Sequence, residues 1–348
     1  MAETRYTIGD YAFKTEEFFP ERILNAITEV RVSRPDVVLE EAKRRIRRET
    51  LAEDGKLTIL AADHPARRVT GVGDDPVAMG DRLEFLGRVL RVITSDQFDG
   101  VMSTTDLIED LFIVNYLVKE GGGPGFLDNK VILGCMNRGG LSGTTFEMDD
   151  RFTSFTAESI ERLRLDGAKL MFRLEEGEPA SGWTIEYCVK AINDLNRRGI
   201  PVFLEALPVK KVDGKYKTLK EAEPLIKVIG VATALGDSSL NMWLKIPYCP
   251  GYQRVARATT LPILMLGGEA RGDPTGILEE FAAGMRAGAN VRGALVGRNI
   301  LFPGQDDPLA TAMAVHRIVH EGFSAEQAVL YLMESRGQDM DRLTRWVR

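Results

Sequence analysis

The sequence predicts an α/β protein folded as a (β/α)8 TIM barrel with an N-terminal helical extension. Three observations predict it. The chain has 348 residues, more than the roughly 250 of a minimal barrel and too few for two. From Leu57 onward, eight short apolar runs alternate with helix-like segments. Ionisable residues and glycines collect at the C-terminal ends of those runs, where this fold places its chemistry.

Residues 1–56 are charged and helix-like; Arg34-Pro35-Asp36 opens an amphipathic run that reads as helix through Glu49. Such a run needs an apolar surface to cover. We expect it to pack on the outside or bottom of the barrel, or on a neighbouring subunit, away from the catalytic centre. The barrel then occupies 57–348. Its strands are expected at Leu57–Asp63, Phe98–Thr104, Lys130–Asn137, Ala168–Glu175, Ile200–Pro208, Asn241–Tyr248, Pro262–Glu269 and Val291–Asn299. Their near-continuous apolarity suits strands covered on both faces. Helices are expected at Asp81–Thr94, Thr184–Arg198, Pro274–Ala287 and Pro308–Glu321. A doubly wound open sheet is the alternative arrangement. The glycine-rich stretch Gly121–Gly125 lacks the spacing and placement of a dinucleotide fingerprint.

A 44% hydrophobic composition supports a large core, and a net charge of −6 argues against a nucleic-acid surface. The three cysteines, Cys135, Cys188 and Cys249, are too scattered for a disulfide framework or zinc knuckle. No apolar run reaches the roughly 18 residues of a membrane span. The expectation is a cytoplasmic homo-oligomer without a nucleic-acid or membrane partner.

Asp63 ends the first strand with the parity of Ile59 and Ala61, so it should point inward. His64 should then face the helices or the rim. Lys245 lies in Met242-Trp243-Leu244-Lys245-Ile246-Pro247. Burial there depresses an amine's pKa and makes it nucleophilic toward carbonyls. The plainer alternative is a strand-end lysine reaching solvent. Lys169, in Ala168-Lys169-Leu170-Met171-Phe172, would depress Lys245 further by like-charge repulsion. Alternatively it faces a helix. Glu205 is a lone carboxylate in an apolar strand. Burial would raise its pKa for acid–base work, unless it serves as an ion-pair partner for a lysine. Gly267-Gly268 and Gly297-Arg298 close the last two strands, a common phosphate-binding place in this fold, though simple tight turns would look alike. His316 and His320 have helical spacing but no intervening acid. We read them as packing and expect neither metal nor cofactor.

These motifs resemble the class I aldolases of the deoxyribose-phosphate and tagatose-bisphosphate aldolase superfamily, over about residues 57–303. Met242–Pro247 is similar to the family's Schiff-base strand. Leu264–Gly268 with Gly293–Asn299 looks like its phosphate-binding pair. Pro201–Glu205 and Ala168–Phe172 resemble the tagatose-bisphosphate branch. Leu60-Ala61-Ala62-Asp63-His64 resembles the archaeal-type fructose-bisphosphate aldolases. The stretch after Glu205, Leu207-Pro208-Val209-Lys210-Lys211, departs from the family pattern and leaves the proton carrier open between Glu205 and Tyr248. The resemblance implies that Lys245 forms a Schiff base, that Asp63 assists, and that Gly267, Gly268, Gly297 and Arg298 hold a substrate phosphate. The whole chain also resembles an actinobacterial aldolase-like family associated with inositol catabolism. That implies cleavage of 2-deoxy-5-keto-gluconate 6-phosphate to dihydroxyacetone phosphate and malonate semialdehyde. Other phosphosugar aldolases (fructose or tagatose bisphosphate, deoxyribose phosphate, sulfofructose phosphate) stay open. So do a barrel isomerase or epimerase and a silent sugar-phosphate-binding regulator.

Overall fold

The structure, a computed structural model, describes residues 6–138 and 140–348; residues 1–5 of the expected extension and Gly139 lie outside it. Eight parallel strands form the barrel: β1 (Leu57–Ala61), β2 (Gly100–Ser103), β3 (Val131–Cys135), β4 (Gly167–Leu174), β5 (Val202–Val212), β7 (Met242–Pro247), β8 (Ile263–Leu266) and β9 (Val291–Val296). A short strand, β6 (Lys215–Thr218), pairs antiparallel with the far end of β5. The order β4-β3-β2-β1-β9-β8-β7-β5 is closed by pairing of β4 with β5. The fold is therefore the expected closed (β/α)8 barrel, and every predicted run overlaps one barrel strand.

Strand alternation divides the core in two. Leu57, Ile59, Leu133, Phe203, Leu264 and Leu295 point inward and fill the lower barrel. Leu60, Val101, Ile132, Leu204, Leu244 and Ile246 point outward against the helices. Moving up β5 and β7, the inward positions change from Phe203 and Trp243, stacked at 5.8 Å, to Glu205 and Lys245 two residues later. The interior thus turns from apolar to charged in one pleat repeat, near the C-terminal mouth.

Most expected helices appear close to their predicted bounds. Arg82–Ile93 is capped by Asp81, which accepts from the backbone N–H groups of Leu83 and Glu84. Pro308–Glu321 starts with proline at its first position. The extension holds helices at Thr15–Phe18, Glu21–Ser33 and Val37–Arg44. They bury Phe18, Ile23, Ile27 and Val37 in the outer core and pack on helices Arg82–Ile93 and Thr105–Glu120. The run read as helix to Glu49 stops at Arg44. Arg45 leaves helical geometry and buries its side chain, donating to Lys130 O at 2.9 Å and pairing with Asp166 at 3.1 Å. Leu51 and Ala52 then pack on the inner cluster at the barrel's N-terminal end. Among the described residues, no helix is long and apolar enough to cross a membrane.

That end also holds His316 and His320, whose rings stack at 4.3 Å. They are more than packing. The Nδ1 of His320 lies 2.8 Å from Asp54 and its Nε2 lies 2.9 Å from Asp99. With a carboxylate on each nitrogen, both nitrogens act as donors and the ring is an imidazolium. Burial opposes that charge, yet the bonds to Asp99 and Asp54 hold the pKa above the ordinary histidine value. A folded-state pKa above the unfolded one gives stability that is complete below the unfolded value, about 6.5, and is lost as pH rises through the folded value. His320→Gln should therefore cost roughly 1.5–3 kcal/mol near pH 6. The deficit should shrink as pH rises, as melting curves from pH 5.5 to 9 will show. A deficit independent of pH would assign the ring a packing role alone.

Candidate active site

The mouth gathers four ionisable side chains from four strands: Asp63 just past β1, Lys169 on β4, Glu205 on β5 and Lys245 on β7. Lys245 Nζ lies 2.9 Å from Glu205 Oε2. Lys169 Nζ lies 3.0 Å from the same oxygen and 3.2 Å from Asp63 Oδ2. All four side chains are buried. Lys169 faces the interior, not a helix, and Glu205 bridges the two lysines. Asp63 Oδ1 is buried without a hydrogen-bond partner. An orphan acceptor of that kind is a place for a donor from a ligand or water.

The electrostatics separate the two lysines. Burial pushes the Lys245 amine down, Glu205 opposes this, and the neighbouring Lys169 charge assists it; the net shift is downward. Burial acts on Lys169 too, but Asp63 and Glu205 together override it and hold it charged. Burial alone would raise the Glu205 carboxyl, as expected from its apolar strand. Lys169 and Lys245 instead bring it to about 2. Burial likewise works against the Asp63 carboxylate, and Lys169, with Arg67, keeps it well below the usual range. The cluster thus holds two carboxylates, one firmly charged ammonium and one amine biased toward its free form.

A cavity of about 460 Å³ opens above this cluster. Its wall includes His64, Arg67, Glu205, Lys245, Gly268, Gly297 and Arg298. His64 sits at the rim, because the chain leaves extended geometry after Ala61 and turns helical at His64. Burial brings its pKa to about 3, so it is a neutral imidazole despite Asp63. Gly297 is required by close approach: a Cβ there would stand 2.5 Å from Ala61 O and closer still to the His64 ring. Gly268 has φ +76°, a left-handed conformation that favours glycine. Asn299 ties the two turns together, its Nδ2 donating to Gly267 O at 2.8 Å.

Tyr248 is not in this site. It stands three residues from Lys245, on the opposite face of the strand. It packs on Tyr252 at 5.4 Å and against Gly284 of helix Thr275–Met285. Four groups that line the cavity were not singled out from the sequence: Tyr216, Lys217, Lys220 and Arg67. The strand expected to end at Pro208 runs on as β5 to Val212 and turns back at Asp213-Gly214 into β6. This hairpin brings Tyr216 and Lys217 to the wall, followed by Lys220. Tyr216 is anchored by donating to Glu178 at 2.9 Å. Lys220 Nζ would lie 3.1 Å from a Cβ on Gly268, so its charge covers the glycine turn. An Asp-Gly pair between strand-like residues is a hairpin signal that was available. Arg67 follows the end of β1 and carries no such signal.

Metal-ligating chemistry among the described residues gathers at the other end of the barrel, in Asp99, His316 and His320. Asp99 Oδ2 there already accepts from Thr58 N, Thr58 Oγ1 and His320.

Comparison with known proteins fits this geometry. The family model described as Cgl0159-like matches residues 55–318. The chain belongs to the Cgl0159-like family. The crystal structure of Cgl0159 from Corynebacterium glutamicum is 35% identical, over 87% of this chain and 98% of that one, with a TM-score of 0.80. Two more distant structures share the fold. An archaeal fructose 1,6-bisphosphate aldolase is 20% identical, covering 82% of this chain and all of that one, TM-score 0.52. The fructose-bisphosphate aldolase of Slackia heliotrinireducens is 14% identical, covering 93% and 95%, TM-score 0.58. A 2-amino-3,7-dideoxy-D-threo-hept-6-ulosonate synthase of Archaeoglobus fulgidus is 26% identical over 133 residues, which span 38% of this chain and 45% of that protein. The Cgl0159-like chain described here thus shares its closed (β/α)8 barrel with these structures.

Proposed function

We propose that this protein is a class I aldolase that cleaves a phosphorylated ketose or keto acid through a Schiff base on Lys245. The observation that carries this reading is the pairing of a depressed amine, Lys245, with an ionised Glu205 at 2.9 Å, beneath an open cavity. The free amine adds to the substrate ketone. Glu205 relays protons between the nitrogen and the departing oxygen, and water loss leaves an iminium. The iminium accepts the electron pair when the adjacent C–C bond breaks. The hydroxyl proton of the leaving fragment passes to a base, and an aldehyde departs. The enamine left on Lys245 is protonated and hydrolysed, which frees the second product. Asp63 Oδ1, unpartnered beside Lys169, is placed to accept from a substrate hydroxyl.

The phosphate would lie against Gly268 and Gly297, between Arg298 and Lys220. The Arg298 Nε is buried with no partner. Binding there would fix the carbonyl over Lys245, so that remote binding serves the reacting centre. The favoured substrate is 2-deoxy-5-keto-gluconate 6-phosphate, cleaved to dihydroxyacetone phosphate and malonate semialdehyde. This rests on the resemblance of the sequence to an actinobacterial aldolase-like family associated with inositol catabolism.

The test is turnover of that compound beside fructose 1,6-bisphosphate, with dihydroxyacetone phosphate measured as product. We expect the keto acid to be cleaved with the higher kcat/KM; the reverse order would move the assignment to bisphosphates. Arg298→Ala should raise KM at least about ten-fold, as for loss of one charge-assisted bond. Lys220→Met should raise it less, since a lysine gives a single point charge. Unchanged KM values in both would place the phosphate elsewhere.

A further inference from the structure

The guanidinium of Arg67 is the feature of the mouth that the proposed mechanism leaves unused. Its backbone lies just past β1, in the short turn Pro65–Arg67. Its side chain crosses toward β4, where Nη2 comes within 3.8 Å of Met171 Sδ. A thioether is a weak acceptor. The Nε is buried with no partner. Among the described residues, no carboxylate oxygen lies within 4 Å of this guanidinium. The nearby carboxylates each turn one oxygen to a lysine: Asp63 Oδ2 to Lys169, Glu205 Oε2 to both lysines. A guanidinium stays charged at any working pH; burial opposes that charge and Asp63, Glu205 and Asp150 support it through space, but none of them pairs with it directly, so its donors are left for a ligand in the cavity.

Its position adds to this. β4 lies four strands from β9 in either direction round the ring, which is diametrically across the barrel. Arg298 follows β9 and Arg67 reaches β4. The rim histidine, His64, lies in the field of both. Two guanidiniums, each with a buried unpartnered Nε, therefore face one cavity from opposite walls, with Lys245 on β7 between them. Cations also outnumber carboxylates around the cavity. Lys169, Arg67, Arg298, Lys217 and Lys220 face Asp63, Glu205 and Glu269, before Lys245 is considered.

We propose that Arg67 binds a second anionic group of the substrate, on the side of Lys245 opposite Arg298, so that the enzyme takes ketoses charged at both ends. The proposal rests on the Schiff-base reading above. In cleavage, the fragment that leaves as aldehyde carries this second anion. A carboxylate and a phosphate offer the same bidentate oxygens to a guanidinium, and the test distinguishes them.

The experiment runs the reaction in the direction of condensation. Dihydroxyacetone phosphate is loaded on Lys245, and three aldehydes are offered: propanal, malonate semialdehyde and glyceraldehyde 3-phosphate. The enamine carbon bonds to the aldehyde carbon, whose oxygen takes up a proton, and water releases the ketone product. The wild type should use at least one anionic aldehyde about ten-fold or more better than propanal, by kcat/KM. Arg67→Met should erase that preference, leave propanal within about two-fold, and still form the borohydride-trapped adduct on Lys245. Arg67→Lys, which keeps charge without the fork, should fall between. The anionic aldehyde that loses more identifies the group, carboxylate or phosphate. An adduct in the wild type without preference for anionic aldehydes overturns the proposal. So does a preference that survives Arg67→Met, or a loss that propanal shares equally. Absence of any adduct in the wild type is a different result and overturns the Schiff-base reading itself.

Discussion

Lys245→Met should abolish both covalent trapping and cleavage. With dihydroxyacetone phosphate and borohydride, the wild-type chain should gain one reduced adduct, which peptide mass mapping should place on Lys245. The variant should gain none. Only a primary amine forms the reducible iminium, and a thioether of similar length offers no nucleophile. The loss in kcat/KM should be on the order of 10⁴-fold or more, as for removal of a covalent nucleophile. The fold should survive. Glu205 keeps its pair with Lys169 at 3.0 Å, so the substitution strands no buried charge. Methionine also fills the space of the lysine stem without an ammonium. A normal melting transition with no adduct is therefore the expected pair of results. Turnover that persists in Lys245→Met would refute the nucleophile assignment.

How much of this was legible before the structure depends on the kind of signal. The barrel follows from apolar runs whose inward and outward faces are both buried, and these are visible as continuous stretches such as Leu57–Ala61. Asp63, Lys169, Glu205 and Lys245 stood out because each is a charge inside or at the end of such a run. That they meet within 3.2 Å of one another's partners is a matter of register: Glu205 pairs level with Lys245, and Lys169 with Phe203 one pleat repeat lower. Register is not a property of any one segment. Tyr248 lies outside the site for a simpler reason. Three residues from Lys245 puts it on the opposite face, where it packs on Tyr252. Of the two readings open for Glu205, the ion-pair partner holds: desolvation can be read from its neighbours in sequence, but the two lysines that outweigh it come from other strands. Arg67 and the Asp54–His320–Asp99 bridge were invisible on the same ground, since their partners are 104, 266 and 221 positions away.

Lys169→Met separates the two lysines by pH. In the wild type, burial and the Lys169 charge both hold the Lys245 amine down against Glu205. Removing Lys169 ends the repulsion and leaves Glu205 to pair with Lys245 alone. Both changes raise the Lys245 pKa, so the pH limb for adduct formation should move to higher pH. At neutral pH the trapping rate should fall by about ten-fold or more, each pKa unit being a factor of ten in free amine. The adduct should still map to Lys245. Stability should change as well, because Asp63 and Glu205 lose their shared ammonium. Breaking a buried pair costs about 3–5 kcal/mol. Both carboxyls are held below their usual range in the wild type, chiefly by Lys169 against burial. Such depressed groups stabilise the fold above their unfolded pKa, near 4, and lose that contribution as pH falls through the folded value. The deficit of Lys169→Met should therefore be full above about pH 5 and narrow on acidification below about pH 4. Adduct-formation rates from pH 6 to 10 and denaturant melts from pH 3 to 8 test the two halves separately. If the adduct in the wild type maps to Lys169, the lysines exchange roles. If Lys169→Met leaves the pH limb where it was, Lys169 holds the carboxylates in place and does not tune the amine.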